Sequence, residues 1–398
     1  MDQHEGNKIG LFAATIIGIN AMIGAGIFAM PAKLAYTVGL ASMFSYALSG
    51  VLVLFIVLAL GRLAVLYPGD AWGYRYPALW GGHMVGMIAS LGYVGGVTIA
   101  MGFLTQQLGV QLMPYLGYDP LTIGLVLLGI LVALVLAGTQ ISSWGQYLIA
   151  ACVLVPMIVS SIICCMHTKP ALMSPIAPYG YDAVITALPL ILFSMLGFES
   201  ISSLYGIVVN PGRNVPRAAL YSVVIVASMF SLFIASSLAA IDKSFFVGGM
   251  NQAFSQAIAA ALPGYEWLGW LISIGAFFAI FGTLHSMVWS VAELFLDVMR
   301  KAQNCVVRSC FTGKLLNERV AVLIIGGSTA LSAFVVQPGT ILQLTSAFVA
   351  LAYLLSVMAL LFDRRTWQTL YDAVIAVGAC VSAFWLCWLS VQSTLAVL

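Results

Sequence analysis

Two short stretches of the sequence contain residues that interrupt a helix and so free backbone groups for binding a small charged molecule. Residues 18–28 contain two glycines around one alanine, and Pro31 follows them. Residues 189–200 contain a proline, a central glycine and the carboxylate of Glu199. An unwound helix frees backbone N–H groups that suit a carboxylate and C=O groups that suit an ammonium group. We therefore expect the two stretches to bind a zwitterion.

Both stretches lie in a chain whose composition is that of an integral membrane protein. Hydrophobic residues make up 62% of its 398 residues and charged residues 7%, whereas a typical soluble domain has about 25% charged residues. A membrane-spanning helix needs about 20 mostly apolar residues. Eleven such helices are predicted, at residues 9–36, 40–66, 85–116, 121–137, 146–166, 183–209, 218–241, 268–298, 320–336, 341–362 and 370–397.

The positions of lysine and arginine predict the orientation, because inner loops are rich in both residues. With residues 1–8 as a cytoplasmic N-terminus, only Lys33, Lys169 and Lys243 of the 15 basic residues fall outside. The eleventh span, within residues 363–398, then runs outward and leaves the C-terminus outside. We expect a multi-pass protein of the plasma membrane, and in a bacterium of the inner membrane.

The interrupted helices are the first and the sixth spans, five helices apart. Small residues inside a span also serve helix packing, which is the alternative explanation for the first stretch taken alone. Interruptions at corresponding places in two halves indicate a transporter built of inverted repeats, with its binding site at the breaks. We therefore predict one five-helix repeat at residues 9–167 and a second, inverted one at residues 181–362.

The motifs at both breaks resemble those of a known superfamily. Gly24-Ala25-Gly26-Ile27-Phe28, with Pro31, is similar to the G-[SA]-G-[IV]-F-x-x-P motif in the first helix of the amino acid–polyamine–organocation (APC) superfamily. The segment Asn210-Pro211-Gly212-Arg213-Asn214-Val215-Pro216 resembles the N-P-x-R-x-[VI]-P loop after its sixth helix. Span 5, with Gln146 and Pro156, is similar to the basic amino acid/polyamine antiporter branch, which includes the arginine/agmatine exchangers. The resemblance implies an all-α fold of the LeuT type, with five plus five helices and alternating access.

The resemblance also implies roles for single residues. The first break would bind the substrate carboxylate and the second its ammonium group, through Ile23, Gly24, Ala25, Gly26, Ile27, Phe193, Ser194, Met195, Leu196 and Gly197. Phe193 matches an aromatic gate, and Glu199 matches a glutamate that gates and senses protons. Tyr353 resembles the tyrosine that closes beside this glutamate. Met287 falls near the position of a second aromatic residue that faces the substrate.

Several polar residues inside the spans are further candidates. Four of them could line the site, namely Ser90, Tyr93, Thr345 and Ser346. Helix packing explains these four residues equally well. An ionisable group inside a span costs free energy to bury, so it is by default functional. This applies to Glu199 and to Glu293. Arg300 could pair with Glu293 instead. His285 lies two turns before Glu293, and both could face the bundle core, but a lone histidine is more often a core residue than a proton relay.

We predict a secondary active transporter, an exchanger of amino acids or related amines. A proton-coupled symporter or exporter is the alternative within this class, and a channel or a membrane sensor is the alternative outside it. The sequence has no repeated rings of charge as in a channel, no nucleophile with a base as in an enzyme and no metal-ligand spacing. It also has no basic tract for nucleic acid.

The expected partners are an amino acid or amine and the lipid bilayer. Protons and a second copy of the chain remain open alternatives, and no cofactor is expected. The aromatic and acid-poor lining leaves the substrate side chain open between a cationic and a neutral one.

Overall fold

The computed structural model describes residues 8–24, 26–67, 72–138, 143–246, 252–301, 317–335 and 338–395. Within these ranges the backbone is helical, apart from loops and one isolated bridge between Ile9 and Val208. This confirms the predicted all-α class. The α-helices are α1 (Leu11–Met22), α2 (Gly26–Thr37), α3 (Ser42–Leu66), α4 (Trp72–Leu116), α5 (Pro120–Leu136), α6 (Ser143–Met166), α7 (Asp182–Thr186), α8 (Leu188–Ser194), α9 (Ser200–Ser203), α10 (Pro211–Ala240), α11 (Phe254–Ala261), α12 (Trp267–Lys301), α13 (Glu318–Val335), α14 (Pro338–Val357), α15 (Ala359–Phe362) and α16 (Leu370–Leu395).

Each of the eleven predicted apolar segments corresponds to helix in the described part of the chain. Eight helices there are long and apolar enough to cross a membrane, and α1 with α2, bent by 48°, makes a ninth if the pair counts as one span. The two other segments are shorter: α5 has 17 residues, and the sixth predicted span is divided among α7, α8 and α9. The number of eleven spans therefore remains a prediction.

The helices pack in two groups that are joined at their edges. In one group α10 packs against both α1 and α3, and in the other α4 packs against α5, α12 and α13. α6 contacts both groups through α10 and α12, while α14 lies along α4 and α16. The breaks between α1 and α2 and between α8 and α9 face α4 and α12 of the second group.

A sharp bend in α4 returns its first turns toward the middle of the molecule. Gly82 has φ 70° and ψ −168°, a backbone conformation that only glycine adopts without strain. The bend separates the segment that begins at Trp72 from the long apolar segment that follows. As a result Trp72 is buried, with 8% of its surface exposed.

Candidate substrate-binding site

The two interrupted spans meet at their breaks, with backbone against backbone. The first break separates Met22 from Gly26, and the second separates Ser194 from Ser200. A Cβ atom on Gly197, whose φ is +111°, would lie 2.0 Å from the carbonyl oxygen of Ala21. A Cβ atom on Gly26 would lie 2.8 Å from the Cα atom of Ser194. Glycine at these two positions is what allows the breaks to touch.

A small cavity lies between the breaks and the second helix group. Its volume of about 20 Å³ is enough for about one water molecule. Six predicted site residues line it, namely Gly24, Gly26, Phe193, Ser194, Leu196 and Met287. Residues that the sequence did not suggest complete the described lining, namely Ala21, Met22, Ala100, Leu104 and Thr283.

The other predicted break residues do not line this cavity. Ile23, Ile27 and Met195 are buried in the core, each with at most 2% of its surface exposed. Gly197 lies against the backbone of Ala21 instead. Ala25 lies outside the described residues.

Two of the predicted polar residues bind neighbouring helices. The hydroxyl of Thr345 donates to the carbonyl oxygen of Gly96 over 3.2 Å, and that of Ser346 donates to the carbonyl oxygen of Pro189 over 2.6 Å. They fix α14 to α4 and to α8, so helix packing explains them. Ser90 is fully buried, and it does not line the cavity.

Glu199 is buried beside the second break and accepts three hydrogen bonds. Tyr93 donates its hydroxyl to Oε1, Tyr353 donates its hydroxyl to Oε2 over 2.7 Å, and the N–H of Gly197 donates to Oε2 over 3.1 Å. An ionised carboxylate only accepts hydrogen bonds, and its burial is tolerated when donors of this kind satisfy it. Glu199 therefore joins α4, the second break and α14 at one point.

Trp72 packs on both tyrosines of this cluster. Its ring stacks on Tyr353 with centroids 5.9 Å apart, and it meets Tyr93 edge to face at 4.9 Å. Phe198 packs on the other side, with its centroid 4.8 Å from that of Tyr353. Trp72 was not predicted as a site residue, because only the bend at Gly82 brings it beside Tyr93.

Phe193, the predicted aromatic gate, lies at the end of α8 and lines the cavity. Its ring meets Phe103 of α4 edge to face, with centroids 5.4 Å apart. This contact joins the two helix groups on the cavity side of the site.

The two residues of the possible second charge site, His285 and Glu293, lie in different environments. His285 is buried, with 8% of its surface exposed, whereas Glu293 lies on an exposed face of α12. The expectation that both face the bundle core is wrong for Glu293, whose side chain is exposed and lies about 80° around the helix from that of His285. Neither residue lines the cavity.

An amide pair that the sequence analysis missed connects α1 to α6. The side-chain N–H group of Asn20 donates to the backbone oxygen of Gln146 over 2.7 Å and to its side-chain oxygen over 2.8 Å. Asn20 comes two residues before the end of α1. The pair therefore fixes the first half-helix close to the break.

The sequence is similar to known membrane permeases along most of its length. The sequence profile of the amino acid permease family matches residues 9–397. The chain belongs to this family. Because the match covers nearly the whole chain, it confirms the resemblance to APC superfamily permeases, which are transporters and not enzymes.

Individual relatives share about a quarter of their aligned residues with this permease. An uncharacterized transporter of Mycobacterium tuberculosis is 27% identical over 74% of this chain and 66% of its own length. Human cationic amino acid transporter 4 is 25% identical over 70% of the chain and 47% of its own length. A branched-chain amino acid permease of Bacillus subtilis is 22% identical over 74% of the chain and 67% of its own length.

The chain thus spans two thirds or less of the length of the mycobacterial and human relatives. The names of these three proteins do not specify an arginine/agmatine exchanger, so that narrower resemblance remains a prediction.

Proposed function

We propose that this permease is a secondary transporter that exchanges amino acids or related amines by alternating access, with the substrate bound at the breaks of the first and sixth spans. The observation that carries the proposal is the contact between the two breaks, beside a cavity lined by both. Broken helices that meet in the middle of a membrane protein supply unpaired backbone groups to a substrate. On this proposal the N-terminus faces the cytoplasm.

The cavity indicates how the site would work. A space for about one water molecule is too small for an amino acid, so the breaks must separate from α4 and α12 before a substrate enters. The two helix groups provide the surfaces for that movement, because the site lies between them. Phe193 and Phe103, which meet across the groups, would part in the same step.

Glu199 would act as the gate and as the proton sensor. Its hydrogen bonds to Tyr93 and Tyr353 hold the second break against α4 and α14. Protonation would give the carboxyl group a donor of its own and remove its charge, which weakens its attraction for the three donors. Exchange that depends on pH through this residue follows from that change.

The names of the relatives support an amino acid as the substrate. One is named for cationic amino acids and another for branched-chain amino acids. What they share is the α-amino and α-carboxyl groups, which are the groups that broken helices bind.

Counterflow in proteoliposomes tests the proposed function. Vesicles that contain the purified chain are loaded with one amino acid and diluted into a labelled amino acid, with vesicles lacking protein as the control. An exchanger gives saturable uptake that is faster when substrate is present inside. Uptake that does not saturate and does not respond to internal substrate would indicate a channel, and no uptake of any amino acid or amine would contradict the proposal.

A further inference from the structure

We propose that the substrate is a small neutral amino acid and that Thr283 donates a hydrogen bond to its carboxylate. This inference rests on the proposed function, and it identifies the substrate class for the same site.

The cavity has no charged side chain in its described lining. Its walls are made by apolar residues, by glycine and by the hydroxyl groups of Ser194 and Thr283. Glu199, the closest acidic residue along the chain, does not line the cavity, and both of its oxygens already accept hydrogen bonds. A cationic side chain would therefore lose its hydration without gaining a counter-charge, a cost that a single cation–π contact with Phe193 does not offset.

The size of the cavity favours a short side chain. The cavity of about 20 Å³ is narrow between the breaks, because Gly26 is already in contact with the backbone of Ser194. Met287 and Leu104 are the lining residues whose flexible side chains can shift to make room. A side chain of one to three heavy atoms requires the least such movement.

Thr283 is the polar group that this cavity leaves without a partner. Its side chain is 94% buried, since 6% of its surface is exposed, and its hydroxyl has no hydrogen-bond partner among the described residues. Several other buried helical threonines bond to the carbonyl one turn earlier, as Thr98 does to Val94 over 2.7 Å. A buried hydroxyl without a hydrogen bond costs free energy of folding. Such a hydroxyl is expected where a ligand supplies the missing partner.

The position of Thr283 indicates which part of the ligand it would bind. Its hydroxyl oxygen is 3.4 Å from the place where a Cβ atom of Gly24 would lie. It therefore stands beside the first break, whose N–H groups are the ones proposed to bind the carboxylate. A hydroxyl beside the N-terminus of α2, where the second half-helix begins, is a donor suited to an anionic group.

A competition experiment tests the substrate class. Counterflow of labelled alanine is measured in proteoliposomes with excess unlabelled alanine, serine, valine, leucine, lysine or arginine. We expect alanine, serine and valine to compete strongly and lysine and arginine to compete weakly. Lysine or arginine competing as well as alanine would overturn the neutral class and leave the exchange function intact, whereas absence of counterflow with every labelled amino acid would contradict the proposed function itself.

A matched pair of substitutions tests the role of Thr283. Thr283→Val keeps the shape of the side chain and removes the hydroxyl, and Thr329→Val makes the same change at a buried hydroxyl of α13 that also lacks a described partner and does not line the cavity. We expect Thr283→Val to raise the half-saturating alanine concentration about tenfold, as for a lost hydrogen bond to a charged group. Thr329→Val and Thr283→Ser should stay close to the unchanged chain. Equal values for Thr283→Val and Thr329→Val would overturn the assignment of Thr283.

A further substitution tests whether the cavity limits the size of the substrate. Met287→Ala enlarges the cavity without touching Thr283, and it should improve competition by leucine relative to alanine. An unchanged ratio of leucine to alanine competition would show that the cavity does not set the size of the substrate.

Discussion

The indole ring of Trp72 stacks on the phenol ring of Tyr353, with the ring centroids 5.9 Å apart and the planes 28° from parallel. Tyr353 donates its hydroxyl to Glu199, so a residue before the bend of α4 supports the group proposed to gate the site. Trp72 also packs on Tyr93, the second tyrosine that binds this carboxylate. The packing of Trp72 on both tyrosines thus helps to position the two hydroxyl groups that donate to Glu199.

Substituting Trp72 tests this support. Trp72→Ala removes a buried indole and should destabilise the folded protein by about 3 kcal/mol, as large-to-small core substitutions do. It should also slow exchange, because both tyrosines lose the surface that orients them, whereas Trp72→Phe should restore part of each effect. Thermal unfolding in detergent and counterflow measure the two outcomes. Trp289→Ala removes an exposed ring of α12 and serves as the control; equal losses in both variants would contradict the role of Trp72.

Substituting Glu199 tests the proton-sensor role. Glu199→Gln keeps the size of the side chain but cannot titrate, so exchange should lose its dependence on pH. The amide also presents one oxygen where the carboxylate presents two acceptors, and exchange at every pH should therefore be slower. Rates of counterflow measured over a series of pH values test this. Glu318→Gln, at an exposed residue of α13, is the control, and a pH dependence that survives in Glu199→Gln would exclude Glu199 as the sensor.

An exposed turn after α15 offers a separate prediction about acid stability. Hydrogen bonds from the side chain and the backbone N–H of Arg365 and from the hydroxyl of Tyr67 lower the pKa of Asp363. A carboxyl whose pKa is lower in the folded state stabilises the fold above its unfolded pKa of about 3.9 and loses this contribution as the pH falls through the lowered value.

The Asp363 contribution is measured by thermal unfolding from about pH 6 to about pH 3. Asp363→Asn should unfold at a lower temperature than the unchanged chain at the higher pH, and the difference should shrink in acid. Because Arg365 is largely exposed, the effect should not exceed about 1 kcal/mol. Asp119→Asn, at the exposed start of α5, is the comparison, and a difference at Asp363 that is independent of pH would contradict the assignment.

The sequence predicted the helical segments and the two breaks because their causes are local. Apolar runs of span length, glycines and prolines act within a few residues, so each predicted segment corresponds to helix. The residues facing the cavity were harder to predict, because which face of a helix points inward depends on its neighbours. Thr345 and Ser346 were predicted either to line the site or to serve helix packing, and their hydroxyl groups bind backbone oxygens of neighbouring helices.

Contacts between distant parts of the chain were not predictable from a single sequence. Trp72 meets Tyr353 only because Gly82 bends α4, and Asn20 meets Gln146 only because α1 packs against α6. Thr283 stands one helical turn before Met287, a predicted site residue, so its helical spacing was the signal that could have identified it.

The contact between the two breaks gives the sharpest prediction. A Cβ atom on Gly197 would lie 2.0 Å from the carbonyl oxygen of Ala21, on a backbone whose φ is +111°. Gly197→Ala must therefore separate the breaks or strain both, and counterflow should be abolished. Gly180→Ala is the matched control, because Gly180 has φ +82° and nothing within 4 Å of the added atom. It should cost only the backbone strain of about 1–2 kcal/mol and leave counterflow unchanged. If Gly197→Ala exchanges substrate as well as Gly180→Ala does, the breaks do not need to touch during the transport cycle.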